Sequence, residues 1–227
     1  MREILTKPLD EIGAGEIRRL VKNQEEESLH LKLKGPLPME RGVAPWEEGK
    51  DKIQNYTRDK VLAEVVGMAN AGGGAVILGI DETEDDPKRA KAIHPLRSCK
   101  KLAERFDNQA WSCIAPRIPN LEVVGIETKG KAGVVLFRVL ASPSPPHGLN
   151  SKRLAYVRRG TSTEELRIDE IRELTLRGAG ASELIAERLS RGQGHLQKIR
   201  EFHQSNRRVI LRASIMPIVA PQTLLDR

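Results

Sequence analysis

The stretch from Thr57 to Ile80 constrains the fold more than any other part of the chain, because helix, break and buried strand follow one another without a linker. Leu62, Val65, Val66 and Ala69 recur at the spacing of a helical face, which predicts a helix over about 57–70 with one side packed on a sheet. Gly72-Gly73-Gly74 ends it. Ala75-Val76-Ile77-Leu78-Gly79-Ile80 is then a short, continuous apolar run, the pattern of a single strand buried on both faces. Such a strand needs a layer above it and a layer below it, so the chain is expected to be a layered α/β protein.

The remaining segments supply those layers. Ile12, Ile17, Leu20 and Val21 give an opening helix its apolar stripe. In Ser28–Lys34 the leucines 29, 31 and 33 alternate with His30, Lys32 and Lys34, which predicts a half-buried strand with one polar face. Gly35 to Gly49 reads as an ordered, irregular loop around Trp46. A helix is expected from near Ser98, with Leu102, Phe106 and Ala110 along one side, followed by two strands over 121–128 and 133–141 that form a hairpin. A short strand over 154–158 and a helix over 169–177, stopped by Gly178, complete the pattern. The expected fold class is therefore α/β (α+β mixed), a central mixed sheet with flanking helices over residues 1–177. Residues 178–227 are expected to be a basic C-terminal extension, with a strand-like run over 209–219 that has no evident sheet partner.

Charge narrows the class of partner. The chain carries 38 Lys and Arg against 31 Asp and Glu, a net charge of +7. Residues 177–227 hold nine of the bases and four of the acids, so nine minus four, or +5, sits in the last stretch. A basic protein of this kind favours polyanions such as RNA or DNA. Aromatic residues make up only 3%, which argues for contact with the nucleic-acid backbone over a surface that stacks successive bases. Cys99 and Cys113 have no ligand-spaced neighbours, so two reduced thiols are expected in place of a disulfide framework or a zinc motif. No run of eighteen apolar residues occurs, and a cytoplasmic location without membrane contact is expected.

Three groups of residues carry candidate chemistry. Glu27 enters one predicted strand and Asp81 leaves another, and two carboxylates meeting at strand ends suit a divalent cation such as Mg²⁺ or Mn²⁺, with Glu27 and Asp81 as both metal ligands and catalytic groups. Asn70, Gly72 and Gly73 form a backbone loop that suits either close approach to a phosphate or a tight turn. This loop follows a helix, and no G-x-x-x-x-G-K-[ST] sequence is present, so a conventional P-loop is excluded. Lys152, Arg153, Arg158 and Arg159, with Lys32, Lys34 and the distal Arg207 and Arg208, are the candidate contacts to phosphate. On that reading Arg158→Ala with Arg159→Ala weakens nucleic-acid binding and leaves the fold intact.

Four of these segments together resemble the Schlafen AlbA-like domain family. Glu27-Ser28-Leu29-His30-Leu31-Lys32-Leu33-Lys34 is similar to its E-S-x-x-L-E-F-K, Met68–Gly74 to its A-N-x-x-G-G, Leu78-Gly79-Ile80-Asp81 to its G-V-D-D, and Tyr156–Thr163 to its Y-V-R-x-G-S-S-T. The likeness runs from about residue 10 to residue 176. It implies an α/β fold that engages DNA or RNA and, in Schlafen-type nucleases, a metal-binding carboxylate triad that cleaves RNA, including transfer RNA. Glu27 and Asp81 match two of those carboxylates, and Lys34 and Arg158 match basic positions. At the third carboxylate this chain has Lys32, whose ammonium repels a metal, and Glu82 compensates only if it points inward. The expectation is thus binding first and metal-dependent endonuclease activity second. The resemblance also leaves open an ATP-binding regulatory role, and residues 178–227 leave open a homo-oligomer or a docking module of a larger protein.

Overall fold

The computed structural model describes residues 2–180 together with 183, 186, 187 and 190. The predicted extension over 178–227, including the run over 209–219 and Arg207 and Arg208, lies almost wholly outside the described residues.

A four-stranded sheet organises the chain. It is built from β1 (Leu31–Lys34), β2 (Gly73–Leu78), β6 (Leu121–Lys129) and β7 (Ala132–Leu140), in the order β1-β2-β7-β6. β1 runs parallel to β2, and the other two pairings are antiparallel. All six residues of β2 are buried, as the apolar run requires. Its side chains alternate between two cores: Ala75 and Ile77 meet one face, Val76 and Leu78 the other. On the first face lie α1 (Arg2–Thr6) and α2 (Ala14–Lys22), which contribute Ile4, Ile17 and Leu20. On the second lie α3 (Asn55–Ala69) and α4 (Cys99–Cys113), whose Val61, Val65, Leu102 and Phe106 pack against Phe137 and Val139. The loop before α3 is pinned by Trp46, fully buried, with Nε1 donating to the Arg97 carbonyl at 2.7 Å.

Three expectations are corrected. First, α3 does not rest on the sheet by one side only. Its reverse face, with Leu62 and Val66, packs on Leu149 of a second antiparallel sheet, β5 (Ile114–Ala115), β8 (Gly148–Leu149), β9 (Leu154–Arg159) and β10 (Ser162–Glu165). α3 therefore lies between two sheets, and β10, which the sequence does not announce, pairs with β9. Second, the apolar run over 75–80 is two strands. Gly79 adopts φ +92°, where an added Cβ would lie 2.9 Å from the His94 carbonyl oxygen, and the chain bends there into β3 (Ile80–Glu82). That strand leaves the main sheet and pairs with β4 (Ala90–Ile93). Third, residues 168–180 are helical and run through Gly178 without stopping.

Candidate functional site: a closed carboxylate cluster and an exposed basic rim

The predicted polar face of the first strand is not solvated. Leu29 and His30 lie in a turn, β1 begins at Leu31, and Lys32 is buried at 8% exposure. Its ammonium lies 2.8 Å from both oxygens of Glu27, which is itself buried, and 3.5 Å from Glu82. The Leu33 amide donates to Glu27 at 2.8 Å as well. Burial pushes the Glu27 carboxyl up, and Lys32 and the Leu33 amide pull against that without cancelling it. Burial also raises Glu82, but its bond from Lys88 and the charge of Lys32 outweigh burial and hold it below the usual carboxylate range.

The carboxylate that faces Glu27 is thus Glu82 and not Asp81. Successive strand residues point to opposite sides, and β3 places Glu82 toward Lys32 and Lys88 while Asp81 turns toward Gly35 and His94, whose Nδ1 is 3.8 Å away. A register irregularity in the β3–β4 pairing falls between the two residues. Among the described residues no three His, Cys, Asp or Glu side chains converge as a metal would need. The donor set does not fit Mg²⁺ or Mn²⁺: the two inward carboxylates already share an internal cation, and Asp81 lies on the other face.

A second buried network adjoins the first. Lys34 Nζ lies 3.1 Å from Glu64 of α3, and Arg158, whose side chain is fully buried, reaches the same carboxylate at 3.5 Å. Arg158 also donates to the carbonyls of Ser28 (2.8 Å) and Leu31 (3.1 Å). Thr163 completes the set with a hydroxyl bond to Glu64. The guanidinium therefore fastens the small sheet to the turn before β1, so Arg158→Ala is expected to destabilise the fold, against the expectation from sequence that it leaves the fold intact. Glu82 points inward, the condition the sequence set for it, whereas Glu64 was missed by sequence reasoning; nothing in a helical Glu at position 64 signals that two cations meet it.

The Asn70–Gly74 segment is explained by packing. Asn70 is buried and makes three bonds, donating to the carbonyls of His147 and Tyr156 (2.8 Å each) and accepting from the His147 amide (2.7 Å). A Cβ on Gly72 would lie 2.7 Å from His30 Cε1 and one on Gly74 2.6 Å from the His30 carbonyl oxygen, so the glycines let β2 pass under the turn at His30. His30 Nδ1 is bonded to the Gly73 carbonyl at 2.8 Å.

Of the other predicted cations, Lys152, Arg153 and Arg159 are at the surface but do not form one patch. Lys152 and Arg153 occupy the turn before β9, and Arg159 ends that strand, so a six-residue strand, roughly 20 Å, separates them. Lys152 is half exposed and 3.9 Å from Asp59; Arg159 pairs with Glu164 at 3.1 Å and with Glu170. No helix among the described residues is long and apolar enough to cross a membrane.

Comparison with known proteins adds the following. A family model described as Schlafen, AlbA_2 matches residues 45–167, more than half of the chain. The match spans Asn70–Gly74, Asp81, Glu82 and Arg158–Thr163, and begins after Glu27 and Lys32. Among solved structures, the DIP2311 protein from Corynebacterium diphtheriae is similar with TM-score 0.40 and 18% identity, over 67% of this chain; the chain spans 26% of that protein's length. The N-terminal domain of an ATP-dependent DNA helicase RecG-related protein from Nitrosomonas europaea is similar with TM-score 0.39 and 16% identity, over 69% of this chain and 95% of that one. No curated protein matches the chain.

Proposed function

Since the chain belongs to the Schlafen, AlbA_2 family, we propose that it is a nucleic-acid-binding module that holds RNA or DNA by its phosphate backbone and does not cleave it through Glu27. The observation that carries this reading is the position of Lys32. An ammonium 2.8 Å from Glu27 and 3.5 Å from Glu82 neutralises the inward carboxylates from within. A divalent cation entering there meets a buried positive charge before it meets a free oxygen.

Binding then falls to the exposed cations Lys152, Arg153 and Arg159, about 20 Å apart along β9, a span that matches several successive phosphates of one strand. The predicted contacts Lys32, Lys34 and Arg158 are used internally. They build the seam that holds the rim in place. Asn70, Gly72 and Gly73 likewise position the start of β2.

The test is the salt dependence of binding. The account expects affinity for labelled RNA and DNA to fall steeply as salt rises, and each of Lys152→Ala, Arg153→Ala and Arg159→Ala to reduce the slope of log affinity against log salt by about one. Affinity that is flat with salt, or unchanged in the triple variant, contradicts it.

A further inference from the structure

Trp46, Phe106 and Phe137 are core residues, but Trp111, in the last turn of α4, is 63% exposed. It is not bare. The chain turns back after β5 and places Arg117 over the indole, with the guanidinium carbon 3.6 Å from the ring centroid. No carboxylate among the described residues pairs with Arg117, so its N–H edges are free for an anion. Beneath the pair is a cleft of about 240 Å³ lined by Asp107, Ala110, Trp111, Arg117, Ile118 and Leu121.

The platform is held rigidly from both sides. Ile114 is buried in the core that joins α3 to the small sheet, and Ile118 packs against the same core. Between them, the carbonyl of Pro116 accepts from His147 Nδ1 at 2.7 Å, while His147 Nε2 accepts from Ser142 Oγ at 2.6 Å. The backbone on both sides of Arg117 is thus anchored, which lowers the entropy a ligand must remove on binding to the stack.

Resting on the nucleic-acid reading above, we infer that Trp111 and Arg117 form a stacking site for one unpaired base of single-stranded nucleic acid. The base lies on the indole–guanidinium pair and an adjacent phosphate meets the free N–H edges of Arg117. Asp107, at the cleft wall, accepts from an exocyclic amine. Every base has a π face, so a planar aromatic–guanidinium pair suits any of them. A protein hot spot is the less fitting occupant, because such anchors sit inside apolar surroundings, and here Glu104, Asn108 and Ser112 expose polar groups on the same helix. The site adds one stacking position beside a backbone-binding rim, in a chain whose low aromatic content argues against a surface that stacks successive bases.

Trp46 is fully buried, so quenching by a ligand reads Trp111. The test titrates the full chain with a short oligoadenylate and with a duplex of the same length, following tryptophan emission and affinity. Oligoadenylate is expected to quench emission. Trp111→Ala abolishes the quenching, weakens single-strand binding about tenfold and leaves duplex binding and the melting temperature unchanged, with Arg117→Ala acting in the same direction. Single-strand affinity unaltered by Trp111→Ala, or an equal loss for both ligands, overturns the stacking site and leaves the module reading standing. Absence of binding to either ligand overturns both.

Discussion

Arg158 and Arg159 are adjacent in the chain and belong to two different regions, a buried seam and an exposed rim. In the seam, Lys32, Lys34 and Arg158 meet Glu27, Glu64 and Glu82 with little water, and every cation has a partner within 3.5 Å. On the rim, Arg159 pairs with Glu164 and Glu170 while half exposed, Lys152 is half exposed at 3.9 Å from Asp59, and Arg153 has no ion-pair partner among the described residues. The same residue types do opposite work. In the seam a charge is structural because its removal strands another charge in a low-dielectric interior, whereas on the rim solvent screens each pair and leaves the cation available to a phosphate.

The sharpest way to break this contrast is Arg158→Ala. It strands Glu64 with only Lys34 and Thr163 and removes the donors to the Ser28 and Leu31 carbonyls, so a loss of about 3–5 kcal/mol in denaturant unfolding is expected. A loss below about 1 kcal/mol would move Arg158 from the seam to the rim.

Lys32→Met comes next, at about 2–4 kcal/mol near neutral pH, because Glu27 is left buried with a single amide donor. Its pH dependence has a fixed sign. The folded carboxyl of Glu27 already titrates above its usual value of 4.5 because of burial, and losing Lys32 raises it further. A raised carboxyl makes the folded state bind more protons than the unfolded one, so the deficit relative to the parent opens as pH rises through the parent's folded pKa, itself above 4.5, toward the higher one of the variant, and closes as pH falls below the parent's. A pH-independent deficit would show that Glu27 is not the stranded charge.

His147 provides a smaller effect outside both regions. Burial depresses its pKa below 6.5, only partly opposed by its bond to Pro116. The unfolded chain then takes up the proton first, so the contribution of His147 to stability is complete above 6.5 and is lost as pH falls below that value toward the folded pKa. The melting temperature of the parent should drop across that window and that of His147→Gln should drop less; parallel profiles contradict the assignment. Arg159→Ala is the smallest change, with no shift of the denaturation midpoint and only a shallower salt slope for nucleic-acid binding.

These contrasts also show what the sequence could and could not disclose. The helix over 55–69, the break at the glycines, the buried strand after them and the hairpin after α4 were legible because each rests on local periodicity and turn chemistry. The bend at Gly79 was not, since glycine in an apolar run fits a straight strand equally well until the His94 carbonyl is known to lie against it. Nor was the fate of Lys32, because alternation identifies two faces but not which of them a neighbouring element covers. The same parity problem decided Arg158 against Arg159, and Asp81 against Glu82. In each pair the motif supplied the chemistry, and tertiary packing chose the residue that points inward.

The central claim, that the inward carboxylates are closed by the chain's own lysine while the rim binds nucleic acid, is tested most directly by incubating purified protein with labelled transfer RNA in Mn²⁺ and in EDTA and reading retention and length together. The account predicts salt-sensitive retention of full-length RNA in both. Fragments that appear in Mn²⁺ and vanish with EDTA or in Glu27→Gln would contradict it, and would mean that a metal displaces Lys32.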